Sequence, residues 1–196
     1  MKILGLDQSS NCTGFCIIDE GKIINHGVFD IHDIDKNHNG ELYYLEKIEN
    51  NLKFLERIIE EYNIDLVIIE DIQKQSNILT YKKLAWLQGN LIQLLYNKHI
   101  KFSILSPSEW RSVLGIKGSR QGREVVKKNT IKYIKNNFDI DVVKDDESDA
   151  IAIAYAGYKR FIKNKLKIFE RKVGEWIEKI ASNQEYDRCK QIIKKR

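Results

Sequence analysis

With 196 residues, 42% hydrophobic and 31% charged, the chain is long enough to bury one full core and too apolar to be disordered. No apolar run approaches the roughly 20 residues that cross a bilayer. The net charge of +5 is unevenly placed: residues 111–135 carry +7, residues 163–196 carry +6, and the remainder carries −8. Two basic segments beside an acidic body suit a polyanionic partner and a cation-dependent site, or else two solvated helix faces. Cys12, Cys16 and Cys189 form neither a metal pattern nor a disulfide framework, and the opening lacks the shape of a secretory leader. A reducing, cytoplasmic compartment is the expectation.

The chain opens on Ile3-Leu4-Gly5-Leu6, an apolar run that ends on Asp7. Lys2 to Leu6 reads as a strand, with Gly14 to Ile18 and Ile23 to Phe29 as the next two, joined by a hairpin turn at Asp19-Glu20-Gly21. His26, His32 and His38 show no ligand spacing and read as surface residues. From Glu41 to Tyr62, Leu42, Leu45, Ile48, Leu52, Leu55, Ile59 and Tyr62 recur in steps of three and four, the stripe of a long amphipathic helix. Leu66-Val67-Ile68-Ile69 then repeats the opening motif, a buried strand ending in a carboxylate, Glu70.

Ile78 to Tyr96 reads as a helix with Leu84, Leu87, Leu91 and Leu94/Leu95 inward, leaving Tyr81 and Trp86 off the stripe, either as a partner surface or under a loop. Lys101 to Leu105 is a fifth strand. Ser106, Pro107 and Glu109 have the spacing of a capped helix start, and the short helix they open ends near Gly115. The basic segment from Lys117 to Arg123 leads into a helix over Glu124 to Lys135, with Val125, Ile131 and Ile134 among its apolar residues. Asp145, Asp146, Glu147 and Asp149 then precede the small apolar run Ala150 to Ala156, read as a helix packed tightly on the sheet. Asp146 and Asp149, three apart, share a face of its first turn. Leu166, Phe169, Val173, Trp176/Ile177 and Ile180 predict a helical tail.

A carboxylate at the end of a buried strand is costly unless a charge, a metal or hydrogen bonds compensate it. Asp7 has two readings: a cap for the turn through Ser9, Ser10 and Asn11, or the focus on which the later acids converge to hold metal ions. If the two acid-tipped strands lie side by side, Asp7 and Glu70 are neighbours. Asp71 points to the opposite face if its strand continues.

This layout resembles the ribonuclease H-like superfamily and, within it, the RuvC family of Holliday junction resolvases. The resemblance rests on GLDQSSNCTGF at the start, VIIEDI around Glu70, SPSEWRSVLG around Pro107 and DDESDAIAIA at the end, together covering residues 1 to about 160. It implies an α/β fold, a five-stranded mixed sheet of three antiparallel then two parallel strands flanked by helices. Residues 1–160 would form the nuclease domain and 161–196 a basic amphipathic helical tail. It implies two Mg²⁺ or Mn²⁺ ions per site, held by Asp7, Glu70, Asp146 and Asp149; hard divalent cations take oxygen ligands. Asp145 or Glu147 are alternatives to Asp146, and the D-x-x-D spacing favours Asp146. It further implies phosphodiester hydrolysis of four-way and other branched DNA, leaving 5′-phosphate and 3′-hydroxyl ends, by a homodimer paired through the helix Ile78 to Tyr96. Arg111 stands four after Pro107, where the family commonly has a Lys; Arg111, Lys117, Arg120, Arg123 and Lys127 are the implied DNA contacts.

The chain departs from the cellular pattern at Gln8-Ser9, where Pro-Gly is usual, at Ile72 and Gln73, where an aromatic residue is frequent, and in its long tail. In these respects it resembles the phage-type branch, associated with looser choice among branched DNAs. Other readings stay open. An RNA-processing nuclease of the same superfamily or a non-catalytic nucleic-acid-binding module would share the fold, and an actin-like kinase would need a second phosphate-binding half.

Overall fold

Five strands form one sheet in the order β3-β2-β1-β4-β5, built from β1 (Lys2–Asp7), β2 (Cys12–Asp19), β3 (Lys22–Asp30), β4 (Leu66–Glu70) and β5 (Lys101–Leu105). The computed structural model describes residues 1–9, 11–31, 40–73, 77–117 and 122–193, with residues 123, 169, 170, 176, 177 and 180–193 as backbone alone. The first three strands are an antiparallel meander, and β1, β4 and β5 run parallel, as the hydrophobic runs predict. The β2–β3 hairpin turns on Glu20 and Gly21, both at positive φ (47° and 85°), the geometry that matches a two-residue turn to strand twist.

Alternation along the strands divides the core. Leu4, Leu6, Ile17, Val67 and Ile69 pack on one face with Leu55, Ile58 and Ile59 of α1 (Gly40–Tyr62) and Leu91 and Leu95 of α2 (Ile78–Asn97). Ile3, Cys16, Ile18 and Ile68 pack on the other with α3 (Pro107–Leu114), α4 (Arg123–Phe138) and the start of α5 (Asp145–Ile193). The α3 start carries the full capping box, Ser106 and Glu109 each satisfying the other's backbone N–H, and Gly115 closes the helix in the left-handed region.

Two stripes differ from expectation. On α1, Leu42 and Leu45 are 65% and 50% exposed. Ile48, Leu55 and Ile59 are buried as the stripe predicts, and Tyr44, Asn51 and Ile58 join them. Tyr44 wins the inward place because its ring packs with Ile48 and Leu87 while its hydroxyl donates to the Lys83 carbonyl. On α4, Val126, Thr130 and Ile134 are buried, and Val125 lies outward. On α2, Leu87, Gln88, Leu91 and Leu95 are buried while Tyr81 and Trp86 are exposed.

The chain divides into two units, Met1–Tyr158 and Lys159–Arg196. The second is helical through Ile193; Leu166, the first residue of its expected stripe, is exposed, Val173 is half-buried, and the side chains of Phe169, Trp176, Ile177 and Ile180 lie outside the described residues. His32, His38 and Arg120 lie outside them as well. No helix among the described residues is long and apolar enough to cross a membrane.

Candidate active site

The parallel pairing of β1 with β4 sets Leu6 opposite Ile69, so the next residues, Asp7 and Glu70, leave the sheet side by side at the carboxyl ends of their strands. The Glu70 backbone is pinned there: its carbonyl accepts from Gln8 Nε2 at 3.3 Å and from Gln88 Nε2 at 3.0 Å. The third element is the first turn of α5, which lies against β1 and β2 because the strands present glycine to it. A Cβ on Gly5 would sit 2.5 Å from the Ala154 nitrogen, and one on Gly14 would sit 1.9 Å from the Asp146 carbonyl oxygen. Gly14 is the β2 partner of Asp7, so this close approach delivers Asp146, and Asp149 one turn on, beside the two strand-end acids.

The electrostatics record that convergence. Burial, then the charges of Glu70, Asp149 and Asp146, hold the Asp7 carboxyl well above the usual carboxylate range. Asp7 and Glu70 also hydrogen-bond to each other. Glu70 is raised by burial, opposed by the Trp110 indole and by Arg111. Asp149 is pushed up to about 7 by burial first and Glu70 second, with Arg111 opposing. Its Oδ2 stands 4.0 Å from an Arg111 terminal nitrogen, while Asp149 Oδ1 and Arg111 Nε are buried with no hydrogen-bond partner.

The neighbouring acids have partners of their own. Asp145 pairs with Lys127, and Glu147 Oε1 lies 2.7 Å from His26 Nδ1 on β3. Lys144 Nζ reaches Asp30 Oδ2 at 2.5 Å. The Cys12 thiol, flanked by Asp30 and Asp146, is pushed up to about 12, mainly by burial. His26, read from sequence as a surface residue, thus belongs to the rim of the cluster; nothing in its spacing points across the sheet to Glu147.

The basic residues spread out. Arg111 is the one beside the acids. Lys127 is paired with Asp145, Lys117 is exposed and its carbonyl accepts from Asn129 Nδ2 at 2.8 Å, and the Arg123 side chain lies outside the described residues. Sequence reasoning missed Trp110, which is wholly buried and donates from Nε1 to Glu70 Oε1 at 2.8 Å. The i, i+4 pairing with Leu114 was the available signal for its inward face.

Among the described residues, no three His, Cys, Asp or Glu side chains are gathered so as to hold a metal ion as they stand. The chemistry of the set nevertheless fits a hard divalent cation: all-oxygen donors, two acids raised by burial and set beside each other, and a buried orphan oxygen on Asp149. A bound cation would offset the mutual repulsion of the ionised acids.

Residues 3–156 match the family model described as crossover junction endodeoxyribonuclease RuvC. The RuvC of Rickettsia prowazekii is 24% identical over 159 residues, covering 79% of this chain and 95% of that protein. The RuvC of Campylobacter lari is 28% identical over 162 residues, covering 79% and 93%. In fold, the chain is similar to Thermus thermophilus RuvC solved in complex with a Holliday junction substrate, with a TM-score of 0.65 at 12% identity over 81% of this chain and 94% of that one. The yeast mitochondrial Holliday junction resolvase gives 0.53 at 20% identity, covering 85% and 83%. With the family model spanning the sheet and both acid-bearing ends of the site, the chain belongs to the crossover junction endodeoxyribonuclease RuvC family.

Proposed function

We propose that this chain is a metal-dependent endonuclease that resolves four-way DNA junctions, with Asp7, Glu70, Asp146 and Asp149 as its cation-holding set. The observation that carries the reading is the convergence of carboxylates from β1, β4 and α5 at one end of the sheet, in a chain whose family model spans residues 3–156. Mg²⁺, or Mn²⁺ in its place, is the ion this all-oxygen set suits. Two such ions, when bound, supply an activated water and positive charge beside the departing 3′-oxygen, the chemistry that leaves 5′-phosphate and 3′-hydroxyl ends.

The chain's own residues prepare that site. Asp7, Glu70 and Asp149, all raised by burial in the metal-free chain, would hold the cations as carboxylates. Asp146 is assigned over Asp145 and Glu147 because those two already pair with Lys127 and His26. Arg111 offsets the buried negative charge beside Asp149 and, with Lys117, Arg120 and Arg123, offers phosphate contacts. Lys127 reaches a phosphate only by leaving Asp145.

A four-way junction needs two symmetric cuts, which suits a homodimer; the exposed Tyr81 and Trp86 of α2 are the surface assigned to it. Nuclease function is assigned to residues 1–160, and the basic tail at 161–196 to an accessory grip on DNA or on the second subunit. The cytoplasm, where chromosomal or phage DNA is accessible, is the assigned compartment.

The test is cleavage of a labelled immobile four-way junction with Mg²⁺, wild type beside Asp7→Asn, with a linear duplex, a three-way flap and matched RNA substrates in parallel. Paired symmetric nicks in the junction, absent in the variant while junction binding persists, are expected. Cutting confined to RNA, or no cutting of any substrate by folded, Mg²⁺-loaded protein, overturns the reading.

A further inference from the structure

The most heavily constrained contact in the cluster comes from a residue that is not a carboxylate. β5 pairs with β4 so that Leu105 lies beside Glu70. The next residue, Ser106, is the N-cap of α3, and one turn into the helix Trp110 returns over the strand end. The indole is wholly buried among Leu105, Leu114, Ile134 and the start of α5. A buried tryptophan needs a partner for its N–H, and this one has chosen Glu70 Oε1 at 2.8 Å. The face of the same ring lies 4.4 Å from the Arg111 guanidinium, whose terminal nitrogen stands 4.0 Å from Asp149.

From this geometry we infer that Trp110 is a positioning residue: its indole N–H fixes the Glu70 carboxylate in place ahead of the cation, so that affinity for the cation depends on that one hydrogen bond. The inference rests on the reading of Glu70 as a ligand. Two features support it. α3 is a rigid mount, closed by the Ser106–Glu109 capping box and by Gly115. Fixing Oε1 sets the plane of the carboxylate, while the Gln8 and Gln88 amides fix its backbone, so Glu70 is restrained at both ends. Outer partners of this kind orient ligands before binding, and removing one costs about 10–100-fold in metal affinity.

Trp110→Phe isolates the N–H, because a phenyl ring still fills most of the core site and still offers a face to Arg111. The experiment is Mn²⁺ titration of the metal-free full chain by calorimetry, comparing wild type, W110F, Glu70→Gln and Leu114→Ala. Leu114 is a buried residue of the same helix with no link to the acids, so Leu114→Ala controls for packing. Expected are Mn²⁺ binding at least about tenfold weaker in W110F and in Glu70→Gln, and a lowered Tm with unchanged Mn²⁺ affinity in Leu114→Ala. Wild-type affinity in W110F beside lost affinity in Glu70→Gln overturns the inference while leaving the ligand reading intact. Wild-type affinity in Glu70→Gln overturns the ligand reading and the inference with it. Should W110F fail to fold, the wild-type chain supplies the measurement. Its ¹⁵N indole resonance for Trp110, assigned by elimination with Trp86→Phe and Trp176→Phe, is expected to exchange slowly and to shift on Mg²⁺ saturation. A Trp110 resonance that Mg²⁺ does not move overturns the inference.

Discussion

A Cβ placed on Gly14 would lie 1.9 Å from the carbonyl oxygen of Asp146, closer than any side chain tolerates. The obstructing atom is backbone, so it cannot yield by rotating. Because Gly14 is also the β2 partner of Asp7, this contact sets how near the α5 acids come to the strand-end acid. Gly14→Ala therefore pushes the first turn of α5 off the sheet. A stability loss of about 1–3 kcal/mol is expected, read as a lowered Tm, together with loss of Mg²⁺-dependent junction cleavage. An alanine variant with wild-type cleavage would show that the spacing of Asp146 from Asp7 is not critical.

Asp7→Asn separates catalysis from stability. Several kcal/mol of charge stabilisation disappear from the hydrolysis, about a thousandfold in rate. In the absence of divalent cations the same change relieves burial of a carboxyl crowded by Glu70, Asp149 and Asp146. The Tm of the metal-free variant is thus expected above that of metal-free wild type, and the Tm gain on adding Mg²⁺ is expected to shrink. A lower metal-free Tm in the variant would argue that Asp7 is chiefly a turn cap.

The two strand-end acids were legible in the sequence because each terminates an unbroken apolar run, a pattern that needs no knowledge of the other strand. The D-x-x-D spacing already favours Asp146 over Asp145 and Glu147, but the partners of those two, Lys127 and His26, were not legible, since His26 is more than a hundred residues from Glu147 in the chain. The α1 stripe was misread at its start because Leu42 and Leu45 fit a helical period with Ile48 as well as Tyr44 does; the packing of the Tyr44 ring with Ile48 and Leu87 decides between them. Trp110 stayed invisible for the same reason. Its helix and caps are local, but the acceptor of its indole proton is a product of the β4–β5 pairing.

The assignment of Asp146 makes a comparison of adjacent residues informative. Asp146→Asn is expected to abolish cleavage. Glu147→Gln removes only the charge opposite His26, a pair at the rim of the site, and is expected to leave cleavage within about fivefold, the worth of roughly 1 kcal/mol. Parallel cleavage assays of the two variants check this, and the reverse ranking would move the third ligand to Glu147.

Asp149 predicts a pH dependence with a definite sign. Its carboxyl, ordinarily near 3.8, is pushed up to about 7 in the folded chain, so between those values the folded state binds the proton that the unfolded state has released. This contribution to stability is complete below about 4 and is lost as pH rises toward about 7. In chelator, the Tm advantage of Asp149→Asn over wild type is therefore expected to grow across that window, and saturating Mg²⁺ is expected to diminish it. A Tm difference that stays flat with pH would mean that Asp149 ionises freely in the folded, metal-free chain.

The exposed face of α2 carries the last prediction. Ile78 and Leu79 are 62% and 61% exposed, and Tyr81 and Trp86 lie on the same helix, Trp86 with its ring 6.0 Å from that of Tyr44. So much apolar surface on one helix is costly to leave in water, and an isologous pairing of two such helices removes it from water in one step. A carboxylate on this face would lose its water on that pairing, a cost that Lys82 and Lys83, one turn back on α2, offset only in part. Trp86→Glu is accordingly expected to shift the chain from dimer to monomer in light scattering while its fold, read by circular dichroism, persists. Each active site would then act alone, so junction cleavage should pass from paired symmetric cuts to slow single nicks. A Trp86→Glu chain that remains dimeric and cuts in pairs would place the subunit contact elsewhere and leave this apolar face to another partner.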